Sequence, residues 1–427
     1  MALLSKPPHL LIKFPLPPLM PVPQAPLQPK QTSKYWFVLG RQADLAVAEI
    51  TAVLNQPIFW LDANPLITTI KSDFEAKHMI NQLGGTIKIG LEMATELSEK
   101  QIIEMMVGEL IKISGKKIYG LSFYNTRLDL RQIKNLGVKI KKELKEQGLS
   151  ARFVMNKEIA LSSATVTNNR LTDKGREFLL DGPNKNGQFG LAMTQAVQPF
   201  ANFSRRDYGR PASDGRSGML PPKLAMIMIN LAQVDKRSVI LDPFCGSGTV
   251  LSEAVLLGYD NLIGRDISPQ AINNSQKNID WTIKEFRNNQ PIKMDLATGA
   301  VETSGAELAR TAGHQSISAI ITEPYLGRPL RGGETRAQIQ TQITELKKLY
   351  LNAFEQFKKY LKKNGVVVIV IPRFKYGQEW LTIDCLAEIK KLGFMPSPLL
   401  PNKNYLLYSR PNQHLAREIW RFVNEKP

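Results

Sequence analysis

Apolar positions along this chain fall into two regimes. Between residues 238 and 371, unbroken apolar runs alternate with amphipathic stretches. The runs Ser238–Asp242, Asn261–Asp266, Pro291–Asp295, Ser318–Thr322 and Gly365–Pro372 predict strands, and Val250–Leu257, Gln270–Trp281 and Gln338–Lys362 predict the helices between them. Strands apolar on both faces, separated by helices, imply a mostly parallel sheet covered on both sides. A helix over Leu381–Leu392, a strand at Tyr405–Arg410 and an amphipathic segment reaching Val423 follow, with the last strands expected to pair antiparallel.

The amino-terminal half is patterned differently. A strand at Lys34–Gly40 leads into a helix capped by Asp44, with Ala46, Ile50, Val53 and Leu54 on one face. Strands at Pro57–Leu61 and Leu66–Ile70, a helix near Phe74–Leu83 and a strand at Thr86–Gly90 complete residues 34–95 in ferredoxin-like order. Residues 96–195 then predict helix Gln101–Ser114, strand Lys117–Tyr124, helix Leu130–Gln147, and strands Ala151–Met155, Glu177–Leu180 and Gln188–Thr194. On the long helix, Ile133, Leu136, Ile140 and Leu144 form the inner stripe, while Lys134, Lys141, Lys142 and Lys145 face outward. Residues 1–33 form a disordered proline-rich tail, 196–217 a linker, and 218–427 the second large domain.

Charge sharpens the picture. The 427 residues carry a formal net charge of +18, with 28 Lys and Arg against 18 Asp and Glu in residues 1–210, and 28 against 20 thereafter. An excess spread over both halves suits a long polyanion that touches both. Besides the lysines, Arg205, Arg206 and Arg210 around Tyr208, and Arg328 and Arg331 in a glycine-rich stretch, are candidate RNA contacts. Two cysteines, Cys245 and Cys385, and the lack of an uncharged bilayer-length run point to a reducing, cytoplasmic setting, and four scattered histidines to no metal site.

Candidate chemistry begins at Asp242-Pro243-Phe244-Cys245-Gly246-Ser247-Gly248-Thr249, between a strand and a helix. Glycines there let a ligand approach the backbone. The acid ending the next strand, Asp266 followed by Ile267, can accept hydrogen bonds from ribose hydroxyls. The block resembles motif I of class I S-adenosylmethionine-dependent methyltransferases, in particular those acting on exocyclic amines. The resemblance implies that Asp242 faces the methionine end of the cofactor, Asp266 its ribose and Asp295, at the end of the third strand, its adenine.

The second stretch is Thr322-Glu323-Pro324-Tyr325, at the carboxyl end of a buried strand. Amino-methyltransferases place Asp/Asn-Pro-Pro-Tyr/Phe at such a site. An exocyclic amine is a weak nucleophile because its lone pair is delocalised. The site must therefore accept hydrogen bonds from the amine and hold the base flat, tasks for a side-chain oxygen, the carbonyl before proline and an aromatic ring. Here Thr322 stands where the acid or amide is expected and Glu323 replaces a proline, so either supplies the acceptor. No cysteine lies beside the stretch for covalent attack on a pyrimidine.

Residues 96–195 resemble a THUMP RNA-binding domain. From Tyr35 to about Phe422 the chain resembles the THUMP-containing tRNA guanine-N2-methyltransferases that act on guanosine 10. That resemblance implies a Rossmann-like methyltransferase domain preceded by α+β ferredoxin-like and THUMP-like parts, S-adenosylmethionine as cofactor and tRNA as partner. It leaves the need for a small auxiliary subunit open. Methylation of ribosomal RNA at guanine N2 or adenine N6 is the alternative activity, and an RNA-binding protein that has lost turnover is the alternative of another class.

Overall fold

The computed structural model describes residues 33–425 apart from 57, 59–66, 156, 213–218, 289, 291, 301–316 and 412. The proline-rich tail, nearly all of the strand expected at Pro57–Leu61, and residues 301–316 between the third and fourth expected strands of the carboxy-terminal half lie outside the described residues.

The amino-terminal half runs β1 (Ser33–Leu39), α1 (Ala43–Leu54), β2 (Ile67–Ser72), α2 (Ala76–Asn81), β3 (Thr86–Leu97), α3 (Glu99–Ile111), β4 (Lys117–Tyr124), α4 (Leu130–Glu146), β5 (Ala151–Val154), α5 (Ser163–Asn168), β6 (Arg176–Asp181) and β7 (Phe189–Val197). These strands make one seven-stranded sheet in the order β2-β1-β3-β7-β6-β4-β5. The boundary expected at residue 95 thus falls inside β3, which pairs with β1 on one edge and β7 on the other. Local patterning cannot reveal this, because β7 follows β3 by about a hundred residues. Asp44 does not cap α1 either. Gln42 holds the N-cap position, Asp44 lies in the first turn, and its carboxylate pairs with Lys403 from the other half. Helix α4 follows its expectation: Ile133, Leu136, Ile140 and Leu144 are buried, and Asp129 and Gln132 close a capping box at its start.

The carboxy-terminal half continues with α6 (Phe200–Tyr208), α7 (Pro222–Ala232), β8 (Val239–Asp242), α8 (Thr249–Leu256), β9 (Asn261–Asp266), α9 (Pro269–Phe286), β10 (Lys293–Thr298), β11 (Ile317–Thr322), α10 (Arg336–Tyr360), β12 (Leu361–Tyr376), β13 (Glu379–Thr382), α11 (Leu386–Lys391), β14 (Phe394–Pro396), β15 (Tyr405–Tyr408) and β16 (Leu415–Asn424). Its sheet has the order β10-β9-β8-β11-β12-β16-β14, with β15 also on β16 and β13 on β12. The ladders from β10 to β12 are parallel, and β16 returns antiparallel between β12 and β15. The order reverses between β8 and β11. In a doubly wound sheet the crevice for a ligand opens there, beyond the carboxyl ends of those two strands.

The halves are packed, not merely tethered. Leu45, Ala48 and Ile50 of α1 share an apolar core with Leu224, Ile227 and Leu231 of α7 and Ile240 of β8. At its centre the buried Glu49 carboxylate accepts hydrogen bonds from the amides of Gly84 and Gly85, at 2.9 and 2.8 Å, and from Asn230 Nδ2 at 2.8 Å. The expected linker is partly the helix α6, lying against α7 and α9 through Phe203 and two arginine–aromatic contacts to Phe286.

Candidate active site

Strand β8 ends on Asp242, a side chain with nowhere to go but inward at 2% exposure. Its carboxylate accepts the Phe244 amide at 3.2 Å and the Thr322 hydroxyl at 2.6 Å. Burial, with Asp266 and Glu323 nearby, raises its pKa to about 7 despite those two bonds. The chain then turns through Gly246 (φ +53°) and Gly248 (φ +79°), both left-handed, and enters α8. The bend is stitched to β9: the Cys245 amide bonds the Arg265 carbonyl at 2.8 Å, and the Gly246 amide bonds Asp266 Oδ2 at 2.9 Å. Asp266 Oδ1 takes the Ser268 amide at 2.9 Å. Each oxygen keeps a lone pair for a further donor.

The residues present fit S-adenosylmethionine. A methyl placed on Gly246 would meet no atom within 4 Å, so the space over the bend is open where a ligand would lie. Ile267 is 75% exposed beside Asp266, an apolar surface next to the acid expected to meet the ribose. Pro243 and Thr249 are buried in the frame of the bend, and Phe244 is half-buried. Cys245 contributes only its backbone: its thiol is buried against Gly264, and burial pushes it far above the ordinary thiol range. Asp295 departs from expectation. It lies within β10 opposite Ile263, whereas Thr298 stands opposite Asp266, and its carboxylate is held at 2.6 Å by the buried Arg265. The strand outruns its acid because Leu296, Ala297 and Thr298 continue the parallel ladder.

Strand β11 delivers the second stretch alongside β8. Thr322 is its last residue, wholly buried, and its hydroxyl is committed to Asp242. It therefore positions an acid of the cofactor site and does not face a substrate, which corrects its candidacy as the amine acceptor. Glu323 is the first side chain past the strand end. Arg417 of β16 donates to it, Nε to Oε1 at 2.6 Å and a second, longer bond at 3.5 Å. Burial raises the Glu323 carboxyl above the usual range, and Arg417 opposes the rise. Pro324 is buried, and Tyr325 is 58% exposed, its carbonyl anchored by Tyr350 Oη at 2.8 Å. Sequence reasoning missed Arg417 and Tyr350, which sit 94 and 25 residues from their partners. No local signal marks them. The glycine loop is less free than its composition suggests, since Gln342 of α10 bonds both the amide and the carbonyl of Arg328.

The basic candidates separate. Arg206 is buried in an ion pair with Glu253 of α8 at 2.7 Å, and Arg210 is buried on the Thr249 hydroxyl at 2.6 Å. Both brace the cofactor bend, so neither is an RNA contact. Arg205 is half-exposed and paired with Glu285. Arg328 and Arg331 are exposed beside Tyr325. Lys134 and Lys141 line a groove of about 370 Å³ with Lys116, Arg152, Phe153 and Met155, and Lys145 is exposed on the same helix. Among the described residues no cluster of three His, Cys, Asp or Glu is placed to hold a metal, and no helix is long and apolar enough to cross a membrane.

Sheet order and glycine bend are those of the class I methyltransferase fold. Residues 210–381 match the family model for an RMKL-like methyltransferase domain, and residues 135–277 match one for a DNA methylase. Among curated relatives, the tRNA (guanine(10)-N2)-dimethyltransferase of Methanothermobacter thermautotrophicus is 27% identical over 191 residues, 44% of this chain and 49% of that protein. That of Methanocaldococcus jannaschii is 54% identical over 50 residues, 12% of this chain and 14% of that one. The ribosomal RNA large subunit methyltransferase K/L of Shewanella baltica is 33% identical over 84 residues, 20% of this chain and 11% of that one. The chain thus spans about half, or less, of the length of the curated relatives it matches. Thermus thermophilus TrmN shares the fold across 92% of this chain and 99% of its own, with a TM-score of 0.50 at 14% identity. Residues 210–381 are thus similar to an RMKL-like methyltransferase domain, and the curated relatives this chain resembles include tRNA (guanine(10)-N2)-dimethyltransferases.

Proposed function

We propose that the protein transfers a methyl group from S-adenosylmethionine to the exocyclic N2 amine of a guanosine in tRNA, at position 10 by kinship. One observation carries the reading: Glu323, Pro324 and Tyr325 stand at the carboxyl end of β11, directly beside the bend at the end of β8. When bound, the cofactor supplies an electrophilic methyl on a sulfonium. The chain supplies orientation. The Glu323 carboxylate, held in place by Arg417, accepts an amine N–H, as does the carbonyl before Pro324, which turns the nitrogen lone pair toward the methyl. Methylation would leave a surplus proton on the amine, which Glu323 or water would take. Tyr325, exposed, is the ring on which the purine stacks.

The THUMP-like half is the grip on the tRNA. The groove beside α4 joins four cations to Phe153 and Met155 on the edge strand β5 and the turn after it, a surface suited to phosphate and sugar. Incubating purified protein with labelled cofactor and total tRNA, then digesting to nucleosides, tests the reading. N2-methylated guanosine is expected. N6-methyladenosine overturns the base, label only in ribosomal RNA fragments overturns the substrate, and RNA binding with no methylation of any RNA overturns the activity.

A further inference from the structure

A cavity of about 490 Å³ opens at the seam between the two halves, away from the cofactor bend. That volume lies within the usual range for a small-ligand site, about 300–1,000 Å³. Its floor is apolar, with Leu45 of α1, Phe203 of α6 and Leu224 of α7. Its rim is basic and aromatic: Arg41 just before α1, Tyr208 at the end of α6 and Arg410 just after β15. Tyr208 is 79% exposed, unusual for so large a ring in a folded chain. Arg41 and Arg410 are exposed, and among the described residues neither is in a salt bridge, although the Asp207 carboxylate acts on Arg410 across the cavity. Arg410 spends its Nε on the Tyr408 hydroxyl at 3.0 Å. Asp207 is the carboxylate in the lining, and Lys223, bonded to Gln198, is the third cation.

The mouth is built. Gln42 Nε2 donates to the Ser409 carbonyl at 2.6 Å, tying the start of α1 to the end of β15 across the seam. The cavity also adjoins the reaction. Tyr408 is the ladder partner of Arg417, whose guanidinium holds Glu323. Adjacent strands lie about 4.8 Å apart, so the cavity is one strand removed from the residue that grips Glu323.

We propose that this cavity receives an unpaired nucleotide flanking the target guanosine, its base against Tyr208 and the apolar floor, and its phosphate between Arg41 and Arg410. Aromatic stacking and arginine–phosphate bonding are how single-stranded RNA is held. Asp207, an acceptor only, favours a base that presents an amino or imino hydrogen. The site fixes the register in which the target base reaches Glu323, and it rests on the reading that the substrate is RNA.

The test is equilibrium binding of fluorescent tRNA to the full chain across a salt series, for wild type, the double variant Arg41→Ala/Arg410→Ala, and Tyr208→Ala. All three side chains are solvent-facing, and unchanged S-adenosylmethionine affinity checks that each variant folds. The double variant should weaken tRNA binding at least tenfold and flatten the salt dependence by about 0.7, the contribution of the one single-stranded phosphate the two arginines share. Tyr208→Ala should weaken it by at least fivefold, as loss of a stack of about 1 kcal/mol or more requires. Variants that bind within twofold of wild type with the same salt dependence overturn the site while leaving tRNA methylation standing. A wild-type protein that binds no RNA overturns both.

Discussion

Gly246 and Gly248, two residues apart in the cofactor bend, should fail in different ways when replaced by alanine. Gly246 and Gly248 both have left-handed backbones, so each alanine incurs strain of about 1–2 kcal/mol. At Gly248 the new methyl would also stand 2.3 Å from Ser275 Oγ and 3.1 Å from Ser275 Cα, on the neighbouring helix α9. Overpacking of that kind costs about 1–3 kcal/mol more. Gly248→Ala should therefore lose about 2–5 kcal/mol of stability. For a domain of this size that lowers the melting temperature by roughly 5–15 °C. At Gly246 nothing lies within 4 Å, so the fold loses only the strain, about 1–2 kcal/mol or a few degrees. The methyl instead occupies the space where S-adenosylmethionine would lie, and affinity should drop at least tenfold. Thermal unfolding with and without the cofactor, alongside calorimetric titration, separates the two. A Gly248→Ala protein as stable as Gly246→Ala, or a Gly246→Ala protein that binds the cofactor with wild-type affinity, would refute this account of the bend.

Other consequences follow from the same contacts. Asp242, with its pKa raised to about 7, loses its negative charge as pH falls through neutrality, so cofactor affinity should decline from pH 8 to pH 6. Thr322→Val removes a hydrogen bond that favours the charged form, and should move that decline to higher pH; identical titration curves for the two proteins would count against it. Glu323→Gln should keep cofactor affinity yet slow single-turnover methylation about a hundredfold, the scale on which one preorganised polar group acts. Equal slowing by Thr322→Val would deny Glu323 its special place. At the seam, burial raises Glu49 to about 7 from an ordinary 4.5, so its contribution to stability is greatest at low pH and is lost as pH rises through about 7. Asn230→Leu strips a donor from that carboxylate, and urea unfolding should show a loss of about 1–3 kcal/mol, larger at pH 8.5 than at pH 6.

Much of this protein is written locally. An apolar run ending in Asp242, two glycines that tolerate left-handed backbone, and Asp266 twenty residues beyond Gly246 specify strand, bend, helix and acid through nearest-neighbour sterics. Helix α4 needs only its 3.6-residue stripe and its capping box. Partnerships across the fold are another matter. Arg206 and Arg210 read as free cations in a linker, but the structure turns both onto α8, because a helix formed there and had to bury a face. Glu323 and Thr322 are chemically interchangeable as acceptors until the sheet assembles: the adjacent β8 claims Thr322 through Asp242, and β16, beyond β12, steadies Glu323 through Arg417. The merging of two expected domains into one sheet, and the cavity at the seam, have the same origin. Residue type and spacing set what a segment can do. Contacts between segments hundreds of residues apart exist only once the chain has chosen its packing, and they decide which of those capacities is used.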